Sequence, residues 1–296
     1  VTAGESFIII SEALCDMDLL FAAWISVPLV ALSSAAIDDV RTREASDGYW
    51  MVVAVWGMAV CLLYDMGRGS IVTACFALLA KALLTVCFLS PKVTGWKAVL
   101  VMASAGASAA VTYASDPEVG MPVAVSITIV ILYYAMYAAG RSVGGADVKC
   151  LMSLAVCFPV YPNDALLWES PDAVSSLLLS LSFSIFAMAL LLSMSSAVVT
   201  AIRNIRRGRI CPSMFVTLRM DVSEAHGSFV WPVERIEDGV KIRCPSCIDD
   251  KVDVLDELRN AGHHTVLVTP MIPFLLPIAV AAGIILLFGN PIFAFI

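Results

Sequence analysis

Long runs of apolar residues, separated by short polar loops, dominate the sequence. A bilayer core about 30 Å thick requires roughly 20 apolar residues per helix, and a backbone in lipid must satisfy its own hydrogen bonds, which favours helices. The pattern predicts an all-α polytopic membrane protein with about eight transmembrane helices, and it leaves six possible. The predicted helices lie at about 18–37, 49–66, 70–90, 98–115, 121–139, 147–161, 174–202 and 269–287.

One long polar block, residues 203–264, interrupts the apolar pattern before the last predicted helix. Alternating apolar and polar residues predict short strands in this block, at Met214–Met220, Ser228–Val233 and Val240–Arg243. Val252–Asn260 is predicted to be a helix. The chain is therefore divided into a transmembrane core (1–202), a small α+β domain (203–264) and a C-terminal transmembrane helix (265–296).

Composition supports the membrane assignment. The chain is 60% hydrophobic and only 15% charged, which is too apolar for an ordinary water-soluble domain. The sequence pI near 4.9 argues against a nucleic-acid partner, because such a partner selects a basic surface.

The basic residues predict the orientation, because cytoplasmic loops are enriched in Lys and Arg. With eight spans and the N-terminus outside, all but two of the 18 basic residues fall in inner loops or in the polar block. The two exceptions are Arg68, in an outer loop, and Lys81, inside the third span with no identified partner. The α+β domain is therefore predicted to be cytoplasmic. Its first basic residues, Arg203, Arg206, Arg207 and Arg209, fit an inner-face anchor near anionic lipid.

A glycine-rich break at residues 140–149 carries a carboxylate, Asp147, between the fifth and sixth runs. An ionisable residue at the mouth of a membrane helix suggests a functional site. The alternative is a structural role, in which Asp147 caps the sixth helix while Gly144 and Gly145 turn the chain. Peptide hydrolysis by carboxylates uses two of them sharing one proton, so a catalytic Asp147 requires a partner.

Asp39 is the expected partner, because it lies where the first apolar run meets a charged turn. Four predicted spans separate Asp39 from Asp147, and an even number returns the chain to the same membrane face. Both aspartates are therefore expected on the cytoplasmic side. The alternative for Asp39 is a solvated charge in a polar loop.

These residues resemble a family. Gly144-Gly145-Ala146-Asp147-Val148-Lys149 is similar to the Gly-x-hydrophobic-Asp motif of membrane aspartyl proteases, as found in type IV prepilin peptidases and especially archaeal prepilin and prearchaellin (preflagellin) peptidases. The turn with Asp39, Arg41 and Arg43 resembles the first aspartate motif of that family. Residues 269–278 look like the proline-rich opening of the final helix in archaeal members. Two departures are four predicted spans between the aspartates, where the family has two, and Ser46 where it usually has Pro.

The resemblance implies an aspartic endopeptidase of the cell membrane. Its substrates would be precursors of type IV pilins or archaellins, which carry a short basic leader followed by a hydrophobic helix. Asp39 and Asp147 would activate a water, with no metal, cofactor or covalent intermediate. Gly144 and Gly145 would allow close approach of the substrate, and Arg43 and Lys149 would support the site.

Other residues compete for these roles. Asp38 adjoins Asp39, but neighbours on a helix point about 100° apart, so one of them faces a partner better. Tyr64-Asp65 resembles the Tyr-Asp motif of presenilin-type proteases, yet the charge pattern places it on the outer side. Cys244 and Cys247 have half the spacing of a zinc site, and a pair of reduced thiols is the alternative.

Two other functions fit parts of the pattern. A secondary transporter could bind a cation or proton-coupled solute at a broken helix at Gly144–Asp147. A structural subunit of a secretion system would leave the two aspartates unexplained.

Overall fold

A computed structural model describes residues 19–68, 70–90, 93–139, 144–159, 161, 179–244 and 251–295. These residues contain ten α-helices and five β-strands. The first seven helices are α1 (Leu19–Thr42), α2 (Asp47–Arg68), α3 (Ile71–Leu89), α4 (Trp96–Ser115), α5 (Pro117–Ala138), α6 (Gly145–Cys157) and α7 (Leu181–Arg206). The last helix is α10 (Leu275–Phe288).

Six helices of the described chain, α1 to α5 and α7, are long and apolar enough to cross a membrane. The prediction of a polytopic helical membrane protein is thereby confirmed. The predicted sixth and eighth spans are shorter helices, α6 with 13 residues and α10 with 14 residues. At 1.5 Å per residue, α6 is roughly 20 Å long, which is shorter than a bilayer core. The start of the predicted seventh span, residues 174–178, lies outside the described residues.

Local sequence explains where these helices start and how closely they pack. Asp116 caps α5 by accepting the Glu118 N–H at 3.0 Å, and Pro117 occupies the first helical position, where a proline loses no helical hydrogen bond. Gly57 of α2 permits close packing against α6, since a Cβ there would lie 2.3 Å from the Cα of Cys157.

Helix α6 lies inside the bundle. It packs against α2, α3 and α5, and every residue from Cys150 to Cys157 is buried. The surrounding helices therefore shield this short helix from lipid. Helix α10 packs against α1, which brings the first and last α-helices of the described residues together.

Residues Leu190–Pro273 form a second compact unit. Strands β1 (Leu218–Asp221), β5 (Thr265–Pro270) and β2 (Val230–Pro232) form an antiparallel sheet in that order. Strands β3 (Glu234–Glu237) and β4 (Val240–Arg243) form a hairpin, and the helices are α8 (Val222–Gly227) and α9 (Lys251–Asn260). The core between sheet and helices includes Leu218, Leu255, Leu258, Val266 and Val268.

Two boundaries predicted from the sequence are wrong in this unit. The chain at Met214 is a 3₁₀ turn, Pro212–Phe215, and not the beginning of a strand. The middle strand of the sheet, Thr265–Pro270, lies beyond the predicted end of the α+β domain at residue 264. The last helix consequently begins at Leu275, and the predicted start near residue 269 is wrong.

Candidate active site

Asp39 lies in the last turn of α1, because the helix continues past the apolar run to Thr42. Its Oδ2 atom accepts the N–H of Leu275 at 3.3 Å. Leu275 is the first residue of α10, and the free N–H groups at a helix N-terminus favour a nearby carboxylate. The last helix therefore orients Asp39, a contact between residues 236 positions apart.

Arg43 ends α1 and contributes charge to the same place. Its φ angle is 60°, in the left-handed region, and its N–H donates to the Asp39 carbonyl at 3.0 Å. This arrangement closes the helix as a left-handed cap does. The positive charge of Arg43 acts on the Asp39 carboxylate, so the structure places Arg43 in the predicted site.

Asp147 is in the first turn of α6, whose N-cap is Gly144. The Asp147 carboxylate accepts the Gly144 N–H, as an acidic residue at the third helical position does in a capping box. A Cβ atom on Gly144 would lie 2.7 Å from the Asp147 Oδ2 atom. The Asp147 carboxylate therefore occupies the space that a larger residue at 144 would need. The alternative in which Asp147 is itself the N-cap is wrong.

Gly145, the other predicted glycine, is the first residue of α6. A Cβ there would lie 3.4 Å from the Tyr137 ring, so an alanine would just fit. The two glycines thus differ, since only Gly144 is constrained by Asp147. Arg141, another basic residue of the glycine-rich break, lies outside the described residues.

Asp39 and Asp147 belong to one electrostatic site. Asp147 lies outside the six spans, and its pKa is raised to about 7, first by burial and then by the negative charge of Asp39, while the Gly144 N–H opposes the rise. The two residues are separated by four long helices, α2 to α5. The two carboxylates that were expected to meet are thus close enough for the charge of Asp39 to act on Asp147.

Lys149, the other basic residue expected to support the site, pairs with a carboxylate other than Asp39 and Asp147. Its ammonium contacts both Asp47 oxygens, at 2.8 and 2.7 Å. Asp47 is the first residue of α2, and Ser46 accepts the Gly48 N–H before it. The ion pair therefore links the start of α6 to the start of α2, and with it the two aspartate motifs.

Asp38 is engaged elsewhere. The Tyr49 hydroxyl donates to its Oδ2 atom at 2.5 Å, which ties the end of α1 to the first turn of α2. This contact gives the neighbouring carboxylate a structural role and distinguishes it from Asp39.

Lys81, for which no partner was identified from the sequence, is buried in α3 beside Asp65 of α2. The Nζ and Oδ2 atoms are 3.9 Å apart, and the side chains are 2% and 13% exposed. A cavity of about 70 Å³ adjoins the pair and is also lined by Cys61, Asp116 and Glu118. Asp65 lies near the end of α2, so the pair belongs to the end of the bundle away from Asp39 and Asp147.

Comparison of the sequence with protein-family models and with curated proteins finds no match. The described residues contain no group of three or more His, Cys, Asp or Glu side chains suited to a metal ion. Cys247 lies outside those residues, so the zinc alternative at Cys244 and Cys247 stays untested. The candidate active site is therefore defined by the two aspartate motifs and their geometry.

Proposed function

We propose that this protein is an aspartic endopeptidase of the cell membrane that removes the basic leader of type IV pilin-like precursors, prepilins or prearchaellins, at the cytoplasmic face. One observation carries the proposal. Asp39 and Asp147, which four long helices separate in the chain, lie close enough for the charge of one to raise the pKa of the other. Two carboxylates in one partly buried site are the arrangement that aspartic proteolysis uses.

The electrostatics suit a pair that shares one proton. Asp147 keeps its proton up to a pH of about 7 because of burial and the nearby charge of Asp39. Asp39 receives the Leu275 N–H, which suits an ionised carboxylate. At neutral pH the pair can therefore offer a base and an acid together.

Hydrolysis follows from this arrangement. The ionised carboxylate takes a proton from a water held between the pair, and the hydroxide attacks the scissile carbonyl carbon while the protonated carboxyl donates to the carbonyl oxygen. The tetrahedral intermediate collapses and the C–N bond breaks, while the leaving amine takes the proton that the first carboxylate removed from water and the second carboxylate regains a proton from the intermediate's hydroxyl group. A precursor whose apolar helix lies in the bilayer presents its scissile bond at the membrane surface, the depth expected for the end of a spanning helix such as α1.

A cleavage assay in membranes tests the proposal. Wild type and the variants Asp39→Asn, Asp147→Asn and Asp38→Asn are mixed with a tagged pilin-like precursor, and leader removal is followed as a mobility shift. We expect cleavage by the wild type and by Asp38→Asn, whose carboxylate binds Tyr49, and none by the other two. Cleavage by Asp39→Asn or Asp147→Asn would contradict the site assignment. Failure of folded wild type to cleave several precursors would contradict the function and favour the transporter alternative.

A further inference from the structure

Helix α7 carries a strongly basic end. Arg203 and Arg206 are exposed in its last turn, and Arg207 and Arg209 follow directly. The helix has 26 residues, or roughly 39 Å at 1.5 Å per residue, whereas a bilayer core is about 30 Å thick. The last turn of α7 therefore extends into the headgroup region, where phosphate groups lie.

The chain after α7 folds back onto that last turn, and Asn204 holds it there. Asn204 is 1% exposed, and its side-chain amide donates to the carbonyl oxygens of Met214 and Thr217, each at 2.7 Å. It also donates to the Thr200 carbonyl at 3.2 Å. Residues 210–217 are consequently held beside the arginines, at the same depth relative to the membrane.

The segment held by Asn204, residues 210–216 (the clamped segment), exposes large apolar side chains. Ile210 is 79% exposed, Phe215 47% and Val216 58%. Exposed apolar residues grouped beside a basic stretch are typical of surfaces that bind membranes. Their rigid attachment to a membrane-spanning helix distinguishes them from apolar residues scattered over a soluble surface.

The arginines are available for anionic groups. Arg207 donates from Nη1 to the Arg219 carbonyl at 2.7 Å, which orients its side chain and leaves its other guanidinium donors for a ligand. Arg209 is half-buried beside the Cys211 thiol, whereas Arg203 and Arg206 are exposed and accessible to a ligand. A guanidinium fits a phosphate group through two parallel N–H donors.

We propose that the last turn of α7 and the clamped segment 210–216 form a lipid-binding surface for anionic phospholipids. The arginines bind the headgroup phosphates, and Ile210, Phe215 and Val216 insert among the upper parts of the acyl chains. The inference concerns only the unit Leu190–Pro273 and the membrane, so it does not depend on the proposed peptidase activity.

Tryptophan fluorescence tests the insertion. The variants Val216→Trp and Val240→Trp are reconstituted as full-length protein in vesicles containing phospholipid brominated on the upper acyl chain, which quenches nearby indoles. Val240 is the matched control, because it is an equally exposed valine of the same unit, at 62%, outside the clamped segment. After subtraction of the wild-type signal, we expect strong quenching of Val216→Trp and little of Val240→Trp. Equal quenching of the two, or none of Val216→Trp, would overturn the proposal.

A second arm tests the preference for anionic lipid. In vesicles of mixed phosphatidylglycerol and phosphatidylcholine, only one lipid is brominated at a time, and the ratio of quenching of Val216→Trp gives the local enrichment. One arginine near an anionic surface changes lipid preference roughly five-fold. Adding Arg203→Gln and Arg206→Gln should therefore lower the enrichment by more than ten-fold, whereas the control pair Arg243→Gln and Arg259→Gln should leave it unchanged. No enrichment in the parent protein, or equal losses in both pairs, would contradict a specific anionic surface.

Discussion

The two ends of the helical bundle both contain partly buried carboxylates, but they neutralise them differently. At one end Asp65 faces Lys81, a buried cation. At the other end Asp147 faces the charge of Asp39, and the nearest lysine in sequence, Lys149, is bound to Asp47. An opposite charge lets a carboxylate stay ionised, whereas two carboxylates together reduce their repulsion by keeping a proton. The first arrangement stabilises structure, and the second retains a proton, as the proposed peptidase mechanism requires.

The largest expected effect concerns the stabilising end. Asp65→Asn leaves Lys81 buried without its carboxylate, and removing one partner of a buried ion pair costs about 3 kcal/mol or more. Unfolding in detergent should show this loss, while cleavage per folded molecule stays at the wild-type level. The double variant Asp65→Leu/Lys81→Met serves as the control and should recover most of the stability. A large loss of cleavage by folded Asp65→Asn would mean that the two ends are not separate in function.

At the other end of the bundle, Gly144→Ala should lower the rate of cleavage and leave the stability nearly unchanged. The new Cβ would lie 2.7 Å from the Asp147 Oδ2 atom and would displace that carboxylate, and a displacement of about 1 Å in a catalytic group costs on the order of 100-fold in rate. Since the Gly144 φ angle is −63°, alanine brings no backbone strain, and stability should change little. The rate of precursor cleavage measures the effect.

Gly106→Ala is the matched control for this prediction. Gly106 is also a glycine of the membrane core, and a Cβ there would meet nothing within 4 Å. Equal activities of the two alanine variants would show that the position of the Asp147 carboxylate does not limit the reaction.

Hydropathy was sufficient to predict the long helices. The predicted spans at 49–66, 70–90 and 98–115 agree with α2, α3 and α4 within two residues at each end. The predicted sixth span was too long, because α6 ends at Cys157, two residues before Pro159, whose ring and missing N–H do not suit a helix. The strand Thr265–Pro270 was assigned to a membrane helix, since a short apolar run looks alike in a buried strand and in a helix.

Other features of the structure differ in how clearly the sequence indicates them. The Asp238-Gly239 pair, with φ angles of 51° and 75°, is the standard turn of a two-residue hairpin and could have revealed strand β3. Lys81 and Asp65 lie on consecutive antiparallel helices, so their pairing was also accessible. The hydrogen bond from Leu275 to Asp39 was not, because no local pattern indicates where the start of the last helix will lie.

The pH dependence of cleavage tests the role of the Asp147 proton. The pKa of Asp147 is raised to about 7, above its usual value of 3.8, so the folded protein holds this proton in the range where the unfolded chain has lost it. The stability that this group contributes is therefore complete below the unfolded value and is lost as pH rises towards 7. Cleavage should fall about ten-fold per pH unit above that point, because the acid is lost.

Two variants test whether the decline in cleavage at alkaline pH comes from Asp147 or from a general effect of pH on the protein. Asp65→Asn, at the other end of the bundle, should show the same alkaline decline in cleavage as wild type. Asp147→Asn should remove the corresponding pH dependence from the unfolding free energy, measured by denaturation in detergent. A cleavage rate that stays constant from pH 6 to 9 would contradict a role for the Asp147 proton.

The smallest expected effect concerns the ion pair between Lys149 and Asp47. Asp47 is 54% exposed and Lys149 25%, and exposed pairs contribute about 0.2 to 1 kcal/mol, far less than the buried pair of Lys81. Asp47→Lys and Lys149→Asp should each lower cleavage a few-fold, because like charges at the starts of α2 and α6 push apart the two segments that carry the aspartates. The double exchange restores an opposite-charge pair and should recover most of the rate. If the double variant is as slow as the product of the single losses, the two residues act independently, and Lys149 supports the site by some means other than Asp47.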